Sequence, residues 1–261
     1  MKKLFMCLIA TLATDLHAQD PIRVYAAGSL RSAMNELAAA YPAAKVEMTY
    51  GASGLLRDRI VNGETAEVFA SANMEHPHAL AMQGLAGPVK RFARNQLCAL
   101  AAPGVKVDSA SLLERLLDPS VSLGTSTPKA DPSGDYAWQL FEKAERVKPG
   151  AYATLSAKAR KLTGGPDSPP PPKGRSVYAS LVAEGRADVF LTYCTNAREA
   201  KQENPALQVV QIPAELSVGA EYGIVLVRSA GEDAWYFVQF VLSPKGQAIL
   251  AKHGFSPGDG N

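Results

Sequence analysis

The sequence contains 261 residues, of which 47% are hydrophobic and 20% are charged, and its formal net charge at pH 7 is +2. A chain of this length and composition can bury one large core or two smaller ones, which excludes a mainly disordered protein. The small net charge, with no basic run interleaved with aromatic residues, excludes nucleic acid as the expected partner.

The N-terminal segment predicts export from the cytoplasm. Lys2 and Lys3 precede an apolar stretch from Leu4 to Ala13, and the small residue Ala18 follows. This order is typical of a secretory signal peptide, so we predict cleavage after Ala18 and a periplasmic mature chain. Cys7 lies inside the apolar stretch and indicates no lipid anchor. No later segment approaches the roughly 18 apolar residues of a membrane span.

Short strands alternate with helices through the first half of the mature chain. The predicted strands are IRVYAA, KVEMTYG, AEVFASA and NQLCALAAPG. The predicted helices run from Ser29 to Tyr41 and through SGLLRDRIVNG and MEHPHALAMQGL. In the first helix Leu30, Leu37 and Tyr41 fall near one face, as in an amphipathic helix.

The same alternation restarts in the second half. The predicted helices are SLLERLLDP, DPSGDYAWQLFEKAERV and SVYASLVAEG, and the predicted strands are VSLGTST, ADVFLTY, LQVVQIP and EYGIVLV. The stretch GGPDSPPPPKG predicts a surface loop, because consecutive prolines fit neither a helix nor a central strand. The chain closes with the helix pair AWYFVQFVLSPKGQAILAKHGF, which is interrupted at Ser243-Pro244.

Two runs of βα units predict an α/β protein of two lobes, each a mainly parallel sheet flanked by helices. We assign residues 1–18 to the signal peptide, 19–97 to the first lobe, 98–197 to the second lobe and 198–261 to a return to the first lobe. Crossover segments near Asn95–Cys98 and after Tyr193 then form a hinge. In open α/β sheets the ligand lies beyond the carboxyl ends of the strands, where helices begin.

Four strand-to-helix junctions carry hydroxyl or small residues where the first backbone N–H groups have no partner inside the helix. Each junction alone is explained by helix capping. Together, two in each half of the chain, they suit an anion held between the lobes, because helix N-termini carry partial positive charge. The residues are Ser29 after VYAAG, Ser53 after MTYGA, Asp131 at an N-cap followed by Pro132, Ser133 and Gly134, and Ser176 at an N-cap followed by Val177.

Donors of this kind favour a fully deprotonated oxyanion. None of the four junction positions is Lys or Arg, and an anion that still carries a proton needs an acceptor as well. The charged residues Arg31, Lys129, Arg175 and Asp131 lie near the helix starts, either facing the cleft or solvated. Tyr193 ends the predicted strand ADVFLTY, where it either points its hydroxyl into the cleft or packs in the core.

The cysteines and histidines indicate no metal centre. Removal of the signal peptide leaves Cys98 and Cys194, and an even pair in an exported chain favours a disulfide, with two buried thiols as the alternative. We interpret the stretch Glu75-His76-Pro77-His78 as a surface turn rather than a metal site. No protein-bound metal and no cofactor are therefore expected.

The main alternative to a binding protein is an exported hydrolase that uses Ser53. The stretch GASGLL approaches the nucleophile elbow G-x-S-x-G, but Leu55 stands where the last glycine is required. Cys98 and Cys194 lie in separate βα units, with no CxxC or Cys/His spacing to suggest a zinc site. We therefore predict that the protein is not an enzyme.

The mature chain resembles the periplasmic molybdate-binding proteins of ABC importers, which have the type II periplasmic-binding fold. The resemblance runs over essentially the whole mature chain. Its most specific parts are AAGSL, GASGLLRDRIVNGETAEVFASA, RNQLCALAAPG, DPSGDYA, FLTYCTNA and FVLSPKGQAILAKHGF.

This resemblance implies a site that binds a tetrahedral oxyanion without a counter-charge. Ser29, Ser53 and Tyr193 would supply hydroxyl donors, and Ser133 and Val177 backbone N–H donors. It implies molybdate or tungstate as ligand, no cofactor, a monomeric chain, and an ABC transporter permease with its ATPase as partners.

Some features depart from that family. The proline-rich loop from Pro166 to Lys173 is interpreted as an insertion, and Cys98 and Cys194 are not general to the family. The alternatives are therefore a binding protein for sulfate, phosphate or a small organic acid, with Arg175 or Lys129 supplying a charge, or an exported adhesin that reuses the fold.

Overall fold

The computed structural model describes residues 20–172 and 174–258. The predicted signal peptide, with Cys7 and the cleavage position at Ala18, lies outside the described residues, as does Lys173 at the end of the predicted loop. Within the described ranges, no helix is both long enough and apolar enough to cross a membrane.

Strands and helices alternate through the described chain, as the sequence predicts. The strands are β1 (Ile22–Ala27), β2 (Val46–Gly51), β3 (Val68–Ser71), β4 (Lys90–Ala101), β5 (Leu123–Ser126), β6 (Arg160–Thr163), β7 (Val189–Tyr193), β8 (Gln208–Gln211), β9 (Gly219–Leu226) and β10 (Ser256–Pro257). The α-helices are α1 (Arg31–Ala40), α2 (Ser53–Val61), α3 (Glu75–Met82), α4 (Leu112–Leu117), α5 (Pro132–Val147), α6 (Ala151–Lys158), α7 (Val177–Ala183), α8 (Cys194–Glu203), α9 (Glu232–Leu242) and α10 (Pro244–Lys252).

The long strand β4 belongs to both lobes. The sheet has the order β2-β1-β3-β9-β4-β7-β5-β6, with β8 and β10 also paired to β4. Residues 90–96 of β4 pair with β9, whereas residues 97–101 pair with β7. The first lobe is therefore built on β2, β1, β3, β9 and the first half of β4, and the second lobe on the other half of β4 with β8, β7, β5 and β6.

Strand direction differs between the outer strands of each lobe and the strands next to the hinge. β1 runs parallel to β2 and β3, and β5 runs parallel to β6 and β7. β4 and β9 run antiparallel to their neighbours. The two-lobed α/β prediction is confirmed, and each lobe keeps a parallel group whose carboxyl ends lead into helices.

The chain crosses between the lobes twice. The first crossing is in β4, within the predicted hinge Asn95–Cys98, and the second is the segment 212–218 between β8 and β9. The predicted return to the first lobe at residue 198 differs from this arrangement, because β8 pairs with residues 98–101 of β4 in the second lobe. The chain therefore returns to the first lobe at about residue 212, after β8. The sequence could not show this, because an apolar strand such as LQVVQIP does not reveal which strand it pairs with.

Helix α5 shows why the strongest patterns were predictable. Its Ala137, Leu140, Phe141 and Ala144 are all buried, which is the spacing of one helix face. By contrast α6, β6 and α8 have no counterpart among the predicted elements. Only Ala151 and Leu155 are buried in α6, β6 has the sequence RKLT, and α8 is rich in polar residues. None of the three has a clear hydrophobic periodicity, so their formation depends on tertiary packing.

A disulfide joins the hinge strand to the segment that follows β7. The sulfur atoms of Cys98 on β4 and Cys194 at the first position of α8 are bonded, and the two Cα atoms lie 4.8 Å apart. This confirms the predicted pairing. The bond ties the residue next to Tyr193 directly to the strand that connects the lobes.

Candidate functional site

A cavity of about 270 Å³ lies between the two lobes, at the helix starts. The first lobe contributes Ser29 and Ser53 to its wall, and the second lobe contributes Val177 and Tyr193. Four of the five residues predicted to bind an oxyanion thus line one cavity, whereas Ser133 is not among its lining residues.

Ser29 lies in a short 3₁₀ helix, residues 28–30, between β1 and α1, and its side chain does not cap that helix. Its Oγ lies 3.0 Å from the hydroxyl oxygen of the fully buried Tyr222 on β9. The side-chain amide of Asn95 donates to the same Tyr222 oxygen at 3.4 Å and to Thr195 Oγ1 at 2.9 Å. A buried polar chain therefore links Ser29 to the hinge strand and to α8 of the second lobe.

Ser53 is the first residue of α2, only 1% exposed, and it does not cap its helix either. Its Oγ accepts the backbone N–H of Ala72 at 3.1 Å. A hydroxyl that accepts one hydrogen bond still has its own proton to donate. Ser53 is thus fixed in place by Ala72 while its O–H stays available as a donor at the cavity wall.

Val177 is the first residue of α7, where a backbone N–H has no partner inside the helix. Ser176 is the N-cap, as predicted, and its hydroxyl accepts the Ala179 N–H at 3.2 Å. The cap therefore satisfies a later donor of the first turn, and Val177, whose own N–H has no partner inside the helix, lines the cavity.

Ser133 is fully buried near the start of α5. Its N–H donates to the Asp131 side chain at 3.0 Å, as expected for the predicted N-cap, so the donor that the resemblance assigns to a ligand is already paired inside the protein. The Ser133 hydroxyl has no hydrogen-bond partner among the described residues.

Tyr193 is 1% exposed at the end of β7, with its hydroxyl directed at the first lobe. The hydroxyl donates to the Ala72 carbonyl oxygen at 3.4 Å, and so does the hydroxyl of Tyr136 from α5. Burial raises the pKa of Tyr193 well above its usual value and that of Tyr136 to about 12. Both phenols are therefore neutral hydrogen-bond donors at physiological pH.

The lobes touch each other beside the cavity. The Gly54 N–H donates to the Ala130 carbonyl oxygen at 2.8 Å, from α2 to the loop before α5. A Cβ at position 54 would lie 2.5 Å from the Lys129 carbonyl oxygen and 2.7 Å from that of Ala130, so only glycine fits. Lys129 itself has a left-handed backbone, with φ of 69°. This arrangement is a closed one, with the lobes in contact.

Several lining residues were not predicted as ligand contacts. Tyr178 of α7 and Asn196 and Glu199 of α8 lie on the second-lobe wall, and the loop residues Ser168 to Pro171 close one side. Recognition of a helix after Tyr193 would have placed Asn196 and Glu199 at the cavity, because they follow in its first turns. The proline-rich sequence alone predicts only a surface loop.

The cavity wall contains charged side chains of both signs, and its two arginines already contact other side chains. Arg31 and Arg175 both line the cavity, but Arg31 stacks over the Tyr50 ring at 4.3 Å and Arg175 pairs with Glu203 at 3.1 Å. Asp131 also lines the cavity, and burial raises the pKa of its carboxyl to about 6. Lys129 is absent from the lining and its backbone N–H donates to Asp135.

The stretch from Glu75 to His78 is not the surface turn that was predicted. It forms the first turn of α3, with His76 only 3% exposed and Pro77 buried. The proline is compatible with a helix start because its missing N–H would have no partner there. Among residues 20–172 and 174–258, no group of three or more His, Cys, Asp or Glu side chains is arranged to hold a metal ion.

The comparisons with known proteins agree with this architecture. The family model of bacterial extracellular solute-binding proteins matches residues 22–256. The chain is 36% identical over 242 residues to the uncharacterized protein PM1146 of Pasteurella multocida, covering 90% of this chain and 98% of that protein. It is 26% identical over 250 residues to the molybdate-binding protein ModA of Mycobacterium bovis, covering 90% and 84%.

Solved structures show the same fold. The periplasmic molybdate-binding protein of Azotobacter vinelandii superimposes with a TM-score of 0.74 at 22% identity, covering 90% of this chain and 98% of that one. The sulfate-binding protein SubI of Mycobacterium tuberculosis superimposes with a TM-score of 0.73 at 17% identity, covering 92% and 88%. The resemblance inferred from the sequence motifs is confirmed.

Proposed function

The chain belongs to the bacterial extracellular solute-binding proteins, and we propose that it binds a tetrahedral oxyanion, molybdate or tungstate, between its lobes for delivery to an ABC importer. The observation that carries this proposal is the convergence of Ser29, Ser53, Val177 and Tyr193 on one cavity. Two of these residues come from each lobe, so an anion that contacts all four favours the form in which the lobes are closed.

The donor chemistry of the four residues suits an anion without protons. Ser53 keeps a free O–H because its oxygen accepts from Ala72, and the Val177 N–H lies at a helix start. Neutral donors held in place by the fold stabilise negative charge without an ion pair. A fully deprotonated oxyanion presents acceptors only, which matches these donors.

The Tyr193 hydroxyl would exchange partners when the anion binds. Its bond to the Ala72 carbonyl is long, at 3.4 Å, and Tyr136 reaches the same oxygen. A charged acceptor forms a stronger hydrogen bond than a carbonyl does, so the phenol gains by turning to the anion. Ala72 would keep Tyr136 as its donor.

Delivery requires export and a transporter. The predicted signal peptide places the mature chain in the periplasm, where the closed, loaded form would dock on the permease whose ATPase drives import. Family membership and the molybdate-binding relatives support this role, and they favour a binding protein over the alternative of a hydrolase that uses Ser53.

Calorimetric titration of the mature chain, residues 19–261, tests the proposal. We expect one-to-one binding of molybdate or tungstate, with sulfate and phosphate much weaker. Ser29→Ala and Ser53→Ala should each weaken binding, whereas the matched control Ser156→Ala on α6, away from the cavity, should bind as the wild type does. Wild-type affinity in both cavity variants would refute the site, and no response to any of the four anions would refute the ligand class.

A larger organic anion is the second candidate, and the size of the cavity favours it. One water-sized group needs about 10–15 Å³ of cavity space of this kind, so the four oxygen atoms of a tetrahedral oxyanion need only about 60 Å³. The cavity measures about 270 Å³, and the loop from Ser168 to Pro171 forms part of its wall. Small phosphate monoesters and carboxylates therefore belong in the same titration series. Binding of one of these more tightly than molybdate would favour the second candidate.

A further inference from the structure

Asp131 places a carboxyl group in the wall of the cavity that is proposed to receive an anion. It is the N-cap of α5, and one of its oxygens accepts the Ser133 N–H at 3.0 Å. The helix N-terminus that would otherwise attract a ligand is thus already occupied by an acidic group of the chain itself. A ligand anion bound beside the Asp131 carboxylate would be repelled by it, which would weaken binding.

Polar and charged groups face Asp131 from the elements packed around it. Asp135 lies on α5 itself and Ser126 on β5, while Gly164, directly after β6, lies so close that a Cβ there would collide with the Asp131 carboxyl. Across the cavity wall lie Tyr178 of α7, Glu199 of α8, and the two cations Arg31 and Arg175.

None of these groups supplies an ion pair to Asp131. The two cations are engaged elsewhere, Arg31 over the Tyr50 ring and Arg175 with Glu203. Burial raises the pKa of the Asp131 carboxyl to about 6, and Asp135 acts in the same direction, while the hydrogen bond from the Ser133 N–H opposes the rise. At neutral pH a minor part of the free protein therefore already carries a proton on this side chain.

We propose that Asp131 couples anion binding to the uptake of one proton, so that the oxyanion binds the form of the protein in which this carboxyl is neutral. The proton comes from solvent and resides on the carboxyl oxygen that does not accept the Ser133 N–H. Protonation removes the repulsion between two negative groups in one cavity and converts an acceptor into an O–H donor. The inference rests on the proposed function, since it requires an anion as ligand.

The proposal fixes the direction of the pH dependence. Below pH 6 the carboxyl is mostly neutral in the free protein, so affinity changes little with pH. Above pH 6 the bound state holds a proton that the free state has lost, so affinity falls by up to about tenfold per pH unit. A site of hydroxyl and amide donors alone would show no such slope, because Tyr193 and Tyr136 stay neutral.

Titration with sodium molybdate at pH 6, 7 and 8, in buffers of different ionisation enthalpy, tests this. Wild-type affinity should fall about fiftyfold from pH 6 to pH 8, with net proton uptake visible as a buffer-dependent heat. Asp131→Asn, which keeps a capping side chain, should change less than about twofold and bind more tightly than wild type at pH 8. Asp108→Asn is the matched control, since Asp108 also accepts a backbone N–H, from Ser111 at 2.8 Å, but lies outside the cavity lining.

Each outcome decides a separate question. Wild-type binding that is independent of pH, with no proton uptake, overturns the role of Asp131 but leaves the proposed function standing. Retention of the wild-type slope in Asp131→Asn also overturns it and points to another group, such as a histidine. Absence of molybdate binding at every pH overturns the proposed function and this inference with it. Should Asp131→Asn fail to fold, Asp131→Ser, which also keeps a capping side chain without a titratable group, takes its place in the same titrations.

Discussion

The helix starts of the two lobes look alike in sequence but differ in how their side chains are used. In the first lobe Ser29 and Ser53 cap nothing, and their oxygens are held by Tyr222 and Ala72. In the second lobe Asp131 and Ser176 are true N-caps, which accept backbone N–H groups of their own helices. A serine or aspartate at such a junction is thus a cap or a ligand contact depending on where its hydrogen bonds go.

This difference predicts a division of labour. The first lobe offers hydroxyl protons to a ligand, whereas the second lobe uses its caps for stability and offers the Val177 N–H and the Tyr193 hydroxyl. Variants in the first lobe should change binding more than stability, and variants of the Ser176 cap in the second lobe should do the reverse. Asp131 is both a cap and a cavity residue, so its variants should act on both. Four sets of variants test that division.

Removal of the disulfide should have the largest effect on stability. Cys98→Ala with Cys194→Ala opens a cross-link between residues that are 96 positions apart, and a loss of about 2–4 kcal/mol in the free energy of unfolding is expected. Because the bond fixes the residue next to Tyr193, molybdate affinity should fall too. Denaturant unfolding and calorimetric titration measure the two effects. Unchanged affinity in a folded double variant would show that the bridge does not position Tyr193.

Loss of either first-lobe hydroxyl should act on binding. Ser29→Ala and Ser53→Ala should each weaken oxyanion binding by about 1–3 kcal/mol, the range for a lost hydrogen bond to a charged group. Thermal unfolding should change little for Ser29→Ala. It should change more for Ser53→Ala, which leaves the buried Ala72 N–H without its acceptor. Lower stability with unchanged affinity would show that these serines have a structural role and do not contact the ligand.

A side chain at Gly54 should oppose closure. In Gly54→Ala the new Cβ meets the Lys129 and Ala130 carbonyl oxygens at 2.5 and 2.7 Å, so the lobes must separate or the loop must shift. Such overpacking typically costs about 1–3 kcal/mol, which should appear as weaker binding. Gly63→Ala, just after α2, is the control. A Cβ there would meet no atom within 4 Å, but the positive φ of +90° is unfavourable for alanine, so this variant should lose stability and keep its affinity. Tight binding by Gly54→Ala would contradict the closed contact.

Loss of a second-lobe cap should have the smallest effect and fall on stability. Ser176→Ala removes the acceptor of the Ala179 N–H, and about 1 kcal/mol of stability should be lost. The Val177 N–H remains in place, so molybdate affinity should stay close to that of the wild type. Denaturant unfolding and calorimetric titration measure the two effects. A loss of affinity as large as that of Ser53→Ala would contradict the proposed difference between the lobes.

The strongest local patterns could be read from the sequence. The N-cap Asp131 with Pro132 after it, and the helix that they begin, depend on neighbours in the chain and were predicted correctly. The pairing of β8 with β4 and the helix α8 depend on contacts between distant residues, which no local pattern contains. The hydrogen bond from the Ser133 N–H to Asp131, by contrast, is local and follows from the predicted N-cap.

The most direct test of the central claim is a crystal structure of the mature protein grown with molybdate, with the molybdenum located by its anomalous scattering. We predict one strong peak between the lobes, with oxyanion oxygens at hydrogen-bond distance from Ser29 Oγ, Ser53 Oγ, the Val177 nitrogen and the Tyr193 hydroxyl. An ordered molybdate elsewhere, or a cavity that holds an organic anion in its place, would contradict it.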